Sequence, residues 1–483
     1  MGTDDQPGIM GVAPGAEIHA YKVLGPYGSG STEDVIAGIE RAVAEKMDVI
    51  NMSLGSESNN ERSADSVAVN NAMVAGTITV VSNGNSGPAE ATVTDPGTAE
   101  LAISVGASKP PLVTPIMTIL GESDEYKLDS FDKSKDIETL TNNYQLVFVG
   151  LGAEGDYTGK DLTGKIAFIK RGSFSFEEKA VNAIKAGAAG AIVYNNSPEA
   201  LESVTLGNSN ITIPVYTLSG TYGEKIKSKL DEDPSLQVNF KIGFEQDTVA
   251  GFSSRGPSRP SYAVKPDISA PGIGIRSSVT DYEGWYEAEN GTSMAAPHIA
   301  GSAALLRAKY PDLSVYDIKS LLMNNTVKMI DRDGNWYTHM DQGAGRVALN
   351  QVLEAKAVAE VEAKTNAVNG SAETTHYTGS LSYGYIDYGE SADRTVIVKD
   401  IVGVDSSYTI NTKWYGSSPV TLTVSKDTVN VSAGGEESFT VTATAPASAD
   451  DKRYEGELIL EEADGHVIQL PIAVYVGEAP KSM

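Results

Sequence analysis

The segment Gly291-Thr292-Ser293-Met294-Ala295-Ala296-Pro297-His298 sets a serine hydroxyl at the mouth of a helix rich in small residues. Such a hydroxyl is a weak nucleophile until a base takes its proton. The helix dipole favours negative charge at that end. Pro297 reads as a first-turn residue, where a missing N–H leaves no intrahelical bond unmade. Taken alone, a Gly-Thr-Ser stretch ahead of a helix is an ordinary N-cap. Two other segments carry polar groups suited to chemistry. Ser82-Asn83-Gly84-Asn85-Ser86-Gly87 brings side-chain amides into an Asn/Gly turn. Asn51-Met52-Ser53-Leu54-Gly55 ends a strand, and an exposed strand edge reads a peptide through main-chain hydrogen bonds.

The elements that must position these groups are legible as alternating strands and helices. His19 to Leu24 reads as a short strand, followed by a Gly-rich loop to Ser31. Ser31 and Asp34 resemble a capping box, opening a helix with an apolar stripe at Val35, Ile39, Val43 and Met47. Val49 to Ser53 is a strand, Ala64 to Ala75 a helix ended by Gly76, and Ile78 to Val81 and Ala102 to Val105 are buried strands. This order predicts a parallel sheet covered on both faces, with its site at the carboxyl ends of the strands. The loops after Met52 and Val81 lie there.

The texture changes near Pro111. Up to Gln246 it is polar and β-prone, with one clear helix at Phe176 to Lys185 and an Ala-Gly-rich run from Gly187 into a buried strand at Tyr194. This reads as a domain inserted in a loop. The α/β texture resumes at Gly251, with helices after Ser293 and from Ser314, the latter with a box-like Asp317. Beyond about Thr375 apolar residues alternate, as at Val420, Leu422 and Val424, at Phe439, Val441 and Ala443, and at Leu458 and Leu460. That spacing predicts a β-sandwich.

Composition removes several functions. The chain has 483 residues and a formal net charge of -27, which repels phosphate backbones and argues against a nucleic-acid partner. It has no cysteine, so disulfides, thiolate metal sites and cysteine nucleophiles are excluded. No run approaches the ~18 apolar residues of a membrane span. Met1-Gly2-Thr3-Asp4-Asp5 shows neither the basic nor the apolar region of a signal peptide; a secreted parent would carry its signal upstream of Met1.

Together these segments resemble the subtilisin-like serine proteases. The eight residues from Gly291 are similar to the family's nucleophile motif, which implies Ser293 as nucleophile. Ser82 to Gly87 resembles the oxyanion-hole loop and implies Asn85 as amide donor. Asn51 to Gly55 resembles the substrate-pairing strand, implying Ser53, Leu54 and Gly55 at the first specificity pocket. Phe252-Ser253-Ser254-Arg255-Gly256-Pro257 and Lys265-Pro266-Asp267-Ile268-Ser269-Ala270-Pro271-Gly272 resemble structural signatures that shape the floor beneath the nucleophile. Gly343-Ala344-Gly345-Arg346-Val347 resembles the end of the catalytic domain.

Gly164-Lys165-Ile166-Ala167-Phe168-Ile169-Lys170-Arg171-Gly172 resembles a protease-associated domain, a kind implying substrate gating or protein contact. The C-terminal region is similar to a fibronectin-type sandwich, and the layout to the minor extracellular proteases of Gram-positive bacteria. The implied fold is α/β: a mostly parallel subtilisin-like sheet over residues 1–110 and 247–360, a β-rich insert over 111–246 and an all-β sandwich over 375–483. The implied reaction is endopeptidase hydrolysis of protein or peptide substrates through an acyl-enzyme, outside the cell or in its envelope. Such families often bind structural calcium, but no loop here is specific enough to assign ligands, and no other cofactor is implied.

One expectation runs against activity. The family's base lies in a His-Gly-Thr-His-type helix just before the segment matching Gly11-Val12-Ala13-Pro14-Gly15, and its aspartate precedes that helix. Neither motif occurs in this chain. Five histidines are present. His298 stands five positions after Ser293, about 140° around the helix; His19, His339, His376 and His466 lie elsewhere in the sequence. The chain alone is expected to be inactive, with a gap between the segments holding Tyr21 and Asn51 where a central strand belongs, or with that gap filled from another molecule. The alternative is a non-catalytic binding protein that uses the insert and the sandwich.

Overall fold

The computed structural model describes residues 9–480 apart from 132–133, 199–200, 202–205, 208–209, 246, 280–285, 332–333, 369–372 and 449–451. Met1 to Asp5, read above for a leader, lie outside the described residues. The chain divides into two compact units, Met1–Pro110 with Asp247–Met483, and Pro111–Gln246.

In the first unit, helix α1 (Thr32–Ala44) buries Val35, Ile39 and Ala42. The Ser31 hydroxyl accepts the Asp34 N–H at 3.2 Å, while the Asp34 carboxylate accepts from that hydroxyl at 3.0 Å, so only the serine half of a capping box forms. Strand β1 (Val49–Met52), helix α2 (Ala64–Val74), strand β2 (Ile78–Ser82) and strand β3 (Ile103–Lys109) follow. The sheet runs β1, β2, β3, Ile268–Pro271, Arg346–Val347, Thr326–Val327, and its strands are parallel except for the last. Thr248–Val249 adds an antiparallel partner to β3.

Alternation along β2 sends Val80 and Val81 to opposite faces. Val80 joins the cluster of Ala295, Ala296, Ile299, Ile318 and Leu321, from the helices Thr292–Lys309 and Val315–Asn324. Val81 joins Val35, Ile39, Val69 and Ala72 of α1 and α2. Both faces are therefore covered by helices.

His19 to Leu24 is not a strand. Tyr21 and Val23 lie along α1 at Gly38, but the segment pairs with no described strand, and among the described residues β1 pairs with β2 alone. A β-prone sequence becomes a strand only where a neighbouring edge supplies ladder partners. Neither segment offers one to the other.

The C-terminal β region begins earlier than Thr375. Ala357–Thr365 already pairs with Thr374–Thr378 and Ser391–Asp400, because its apolar Ala357, Ala359 and Val361 continue the alternation seen further on. It belongs to a five-stranded sheet with Glu436–Thr444 and Thr421–Val424. A second five-stranded sheet contains Leu381–Ile386, Val467–Val476, Arg453–Glu462, Ser406–Trp414 and Thr428–Val431. One apolar core, including Val396, Phe439, Val441, Leu458, Leu470 and Val474, takes side chains from both sheets.

Ion pairs and a buried histidine tie these sheets to the α/β core. Lys328 pairs with Glu457, with both side chains 7% exposed. The His339 ring lies between Gly343 O at 3.0 Å and Gly456 O at 2.9 Å. Arg453 reaches Glu90 at 2.7 Å. Lys399 reaches Asp317 at 2.9 Å and Glu360 at 2.6 Å.

The second unit is an eight-stranded sheet. Its centre, Tyr144–Phe148, Ile166–Lys170, Gly190–Tyr194 and Val215–Leu218, is parallel. Helix Phe176–Lys185 forms as expected, capped by Ser175. A second helix, Gly220–Glu232, forms where none was read. Its buried residues are Gly220, Gly223, Ile226 and Leu230, so half of its stripe is glycine. A Cβ on Gly223 would sit 2.2 Å from the Tyr194 ring. The close approach that needs glycine is what hid the helix from hydropathy.

Candidate catalytic site

The loops after β1 and β2 and the start of helix Thr292–Lys309 meet at the carboxyl end of the parallel strands. Ser293 is the second residue of that helix. Its N–H is one of the four that have no intrahelical acceptor. The Ser293 hydroxyl donates to Ser53 O at 3.5 Å, and the Ser53 hydroxyl donates to Ser293 O at 2.8 Å.

Asn85 is oriented by Thr292. Its Oδ1 accepts both the Thr292 N–H at 3.0 Å and the Thr292 hydroxyl at 2.9 Å. An amide has one carbonyl end and one NH2 end. With Oδ1 committed to the helix start, the NH2 group is turned the other way, and it makes no hydrogen bond among the described residues. The Asn85 Nδ2 and the Ser293 N lie 3.6 Å and 3.5 Å from the point where a Cβ on Gly291 would stand, so the two donors flank one space at the helix start. The sequence pointed to Asn85; the backbone donor and the Thr292 hold on Asn85 were missed, though a first-turn position on the helix already implied a free N–H.

Ser53, Leu54 and Gly55 form the adjoining wall. Leu54 O accepts the Ser82 hydroxyl at 3.3 Å, and Ser56 N–H donates to Asp95 O at 2.8 Å. Thr94 closes the space between this wall and the Asn85 loop. A Cβ on Gly55 would meet Thr94 Oγ1 at 3.0 Å, and one on Gly84 would meet it at 2.6 Å. Gly84 also has φ +103, so its place needs glycine for conformation as well as space. The Phe252 motif braces the same loop. Ser254 N–H donates to Gly84 O at 2.9 Å, the Asn83 amide donates to Ser254 O at 2.6 Å, and Ser86 N–H donates to the Ser254 hydroxyl at 3.0 Å.

The Lys265 motif spans the sheet: Gly272 O accepts the Gly291 N–H at 2.8 Å at the start of the Ser293 helix, while Lys265 and Asp267 act at the opposite end. Asp267, 2% exposed, receives Lys265 at 2.7 Å, Lys319 at 3.0 Å and the Ser104 N–H at 2.8 Å. Burial opposes its charge, but the two ammonium groups prevail and hold its carboxyl below the usual range. Burial lowers Lys319 to about 8. Lys319 was not read from the sequence, where it sits unmarked in a helical pattern.

Pro297 is not in the first turn. The helix begins at Thr292, so Pro297 is its sixth residue and lies in the second turn. The expected tolerance through an orphan amide does not apply, and the residue four positions back is Ser293.

Among the described residues no histidine hydrogen-bonds the Ser293 hydroxyl, whose side-chain contact is Ser53 O. His298 Nδ1 is 2.9 Å from Met294 O of its own helix. His19 meets Glu17 at 2.9 Å, His339 sits between two carbonyls, and His466 meets the Tyr408 hydroxyl at 3.3 Å. His376 is 3% exposed, with burial and then Lys319 and Lys265 holding its imidazole down to about 3. Among the described residues no group of three or more His, Asp or Glu could hold a metal ion, and no helix is long and apolar enough to cross a membrane.

Comparison with known proteins gives a match of residues 1–369 to the profile described as Peptidase_S8, the Subtilase family. The minor extracellular protease Vpr of Bacillus subtilis (strain 168) is 39% identical over 486 residues, covering 97% of this chain and 57% of that protein. The PI-type proteinase of Lactococcus lactis subsp. cremoris is 29% identical over 555 residues, covering 99% of this chain and 28% of its own length. A subtilisin-like protease of Arabidopsis thaliana, SBT1.6, is 30% identical over 381 residues, covering 71% of this chain and 49% of that protein. The chain thus spans from about a quarter to just over half of the length of these relatives.

Proposed function

The chain belongs to the subtilase family, and on that premise we propose that it carries the nucleophile and oxyanion half of an extracellular or envelope serine endopeptidase, and lacks a base for Ser293. The observation that carries this reading is the double hydrogen bond from Thr292 to Asn85 Oδ1, which leaves the amide NH2 free, among the described residues, beside the Ser293 N–H, the two nitrogens 3.6 Å and 3.5 Å from where a Cβ on Gly291 would stand.

In the proposed reaction the Ser293 oxygen bonds to the scissile carbonyl carbon. Its proton leaves to a base, and the carbonyl oxygen takes negative charge between the Asn85 NH2 and the Ser293 N–H. The tetrahedral intermediate then expels the amine, which takes up the proton, and leaves an acyl-enzyme. Water releases the acid by the same path. Ser53 to Gly55 pair with the extended substrate, and Thr94 bounds its first side-chain pocket. None of the five histidines is placed to take the proton, so this chain by itself is read as inactive. Residues 111–246 are read as a protease-associated unit that gates substrate or contacts protein, and the C-terminal sheets as a fibronectin-type sandwich. Protein or peptide substrates are the partners.

Fluorophosphonate labelling tests this reading, with mass spectrometry of the Ser293 peptide. At neutral pH the chain is expected to label slowly, Ser293→Ala not at all, and Asn85→Ala roughly 10² slower than the parent. Rapid stoichiometric labelling of the parent would overturn the missing base. Labelling retained in Ser293→Ala would overturn the nucleophile.

A further inference from the structure

We infer that the Ser53 side chain is a positioning residue for the nucleophile, acting through a carbonyl that Pro297 releases from its helix. This rests on the reading of Ser293 as nucleophile.

In a regular helix the Ser293 carbonyl would accept the N–H of residue 297. Residue 297 is proline, inside the helix, with no N–H to give. Its ring also crowds the carbonyl four positions back, tilting it away from the helix axis. That carbonyl instead accepts the Ser53 hydroxyl at 2.8 Å, from a residue 240 positions away in sequence. The Ser293 hydroxyl in turn rests on Ser53 O at 3.5 Å. Ser53 and Ser293 so exchange two hydrogen bonds, one through each backbone carbonyl.

The carbonyl that is held adjoins the Cα bearing the nucleophilic hydroxyl. Rotation of that peptide plane would move both the hydroxyl and the Ser293 N–H relative to the Asn85 NH2. Small misplacements of reacting groups are costly, about 10²-fold for ~1 Å. Proline at this position destabilises a helix, yet here it makes an acceptor available in the one place where the wall strand can hold it. The bland reading, a tolerated helix proline beside an incidental serine contact, predicts no linkage between positions 53 and 297.

The test uses four variants of this chain: Ser53→Ala, Ser53→Thr, Pro297→Ala and the double Ser53→Ala/Pro297→Ala. The rate of phosphonylation at Ser293 by a fluorophosphonate is read in alkaline buffer, where hydroxide stands in for a base, alongside amide exchange over the helix start. Ser53→Ala is expected to slow labelling about 10-fold, and Ser53→Thr to stay within about 3-fold of the parent. The double variant is expected to recover most of the loss, with the new amide at 297 protected from exchange because it takes the orphaned carbonyl. Labelling of Ser53→Ala at the parental rate overturns the inference, as does a Ser53→Thr loss equal to that of Ser53→Ala, or a double variant no faster than Ser53→Ala. If the parent itself is not phosphonylated at Ser293, the nucleophile reading fails and the positioning role fails with it; if the parent labels and Ser53→Ala matches it, the positioning role alone fails.

Discussion

Replacing Asp267 by Ala is expected to lower the unfolding free energy by roughly 3–5 kcal/mol at neutral pH. Asp267 answers two buried ammonium groups at once, Lys265 at 2.7 Å and Lys319 at 3.0 Å. Lys319 is fully buried, and its remaining partners are the carbonyls of Glu100 at 3.0 Å, Leu101 at 3.4 Å and Ala102 at 2.9 Å. Without the carboxylate two like charges face each other out of water, and the Ser104 N–H loses its acceptor. Asp267→Asn keeps that acceptor and is expected to lose less. Urea midpoints at constant slope measure both; a loss below about 1 kcal/mol for Asp267→Ala would mean the lysines find water or other partners. The pH dependence has a definite sign. Because the folded carboxyl lies below its unfolded value, its contribution is fully present above the unfolded pKa of about 3.9 and disappears as pH falls through the folded value.

The second large effect has the opposite sign. Asp317, Lys399 and Glu360 gather one ammonium and two carboxylates at the junction of the α/β core and the C-terminal sheets. Asp317 keeps its charge because, against burial, it is also hydrogen-bonded by Ser314 and Lys399. Glu360, with no exposed surface, is the surplus anion; burial, and then the charge of Asp317, push it up to about 7. Between about pH 4.5 and 7 the folded chain therefore holds a proton on Glu360 that the unfolded chain has released. That contribution is greatest in acid and declines as pH rises through this window, by roughly 3 kcal/mol at most. Glu360→Gln removes the titration. Denaturation at several pH values should show the variant gaining on the parent as pH rises from about 4.5, the ordinary carboxyl value, to about 7. Parallel profiles would refute the assignment.

Much of the site was legible because its groups are announced locally. A hydroxyl at a helix start, an Asn/Gly turn and a strand end are each set by neighbours in sequence; Ser53 and Ser293 are in contact, and Asn85 is bonded to Thr292 next to Ser293. What escaped depends on distant partners. Thr94 is one threonine among many until Gly55 and Gly84 close around it. Lys319 looks like a solvated helical lysine until Asp267 arrives from another strand. His19 to Leu24 has the composition of a strand, but pairing is a property of two segments, and none of the described segments supplies the second. Pro297 was misplaced by one turn because the helix starts at Thr292 and includes Ser293, so that the proline falls beyond the orphan amides. The Gly220–Glu232 helix was missed because glycines replace apolar residues on its buried side.

The junction has a consequence for how such proteins can be recombined. His339 spends its ring on Gly456 O, Lys328 answers Glu457, Arg453 answers Glu90, and Lys399 answers Asp317. In each pair one partner belongs to the α/β core and the other to the C-terminal sheets. A chimera grafted between them near residue 356 would bring strangers to each of these places and leave the buried Lys328 and Glu457 unanswered, although Lys399 would keep Glu360 and Arg453 would keep Glu455. Exchange among relatives should therefore succeed only when both halves travel together, or when these partners are carried across with the graft.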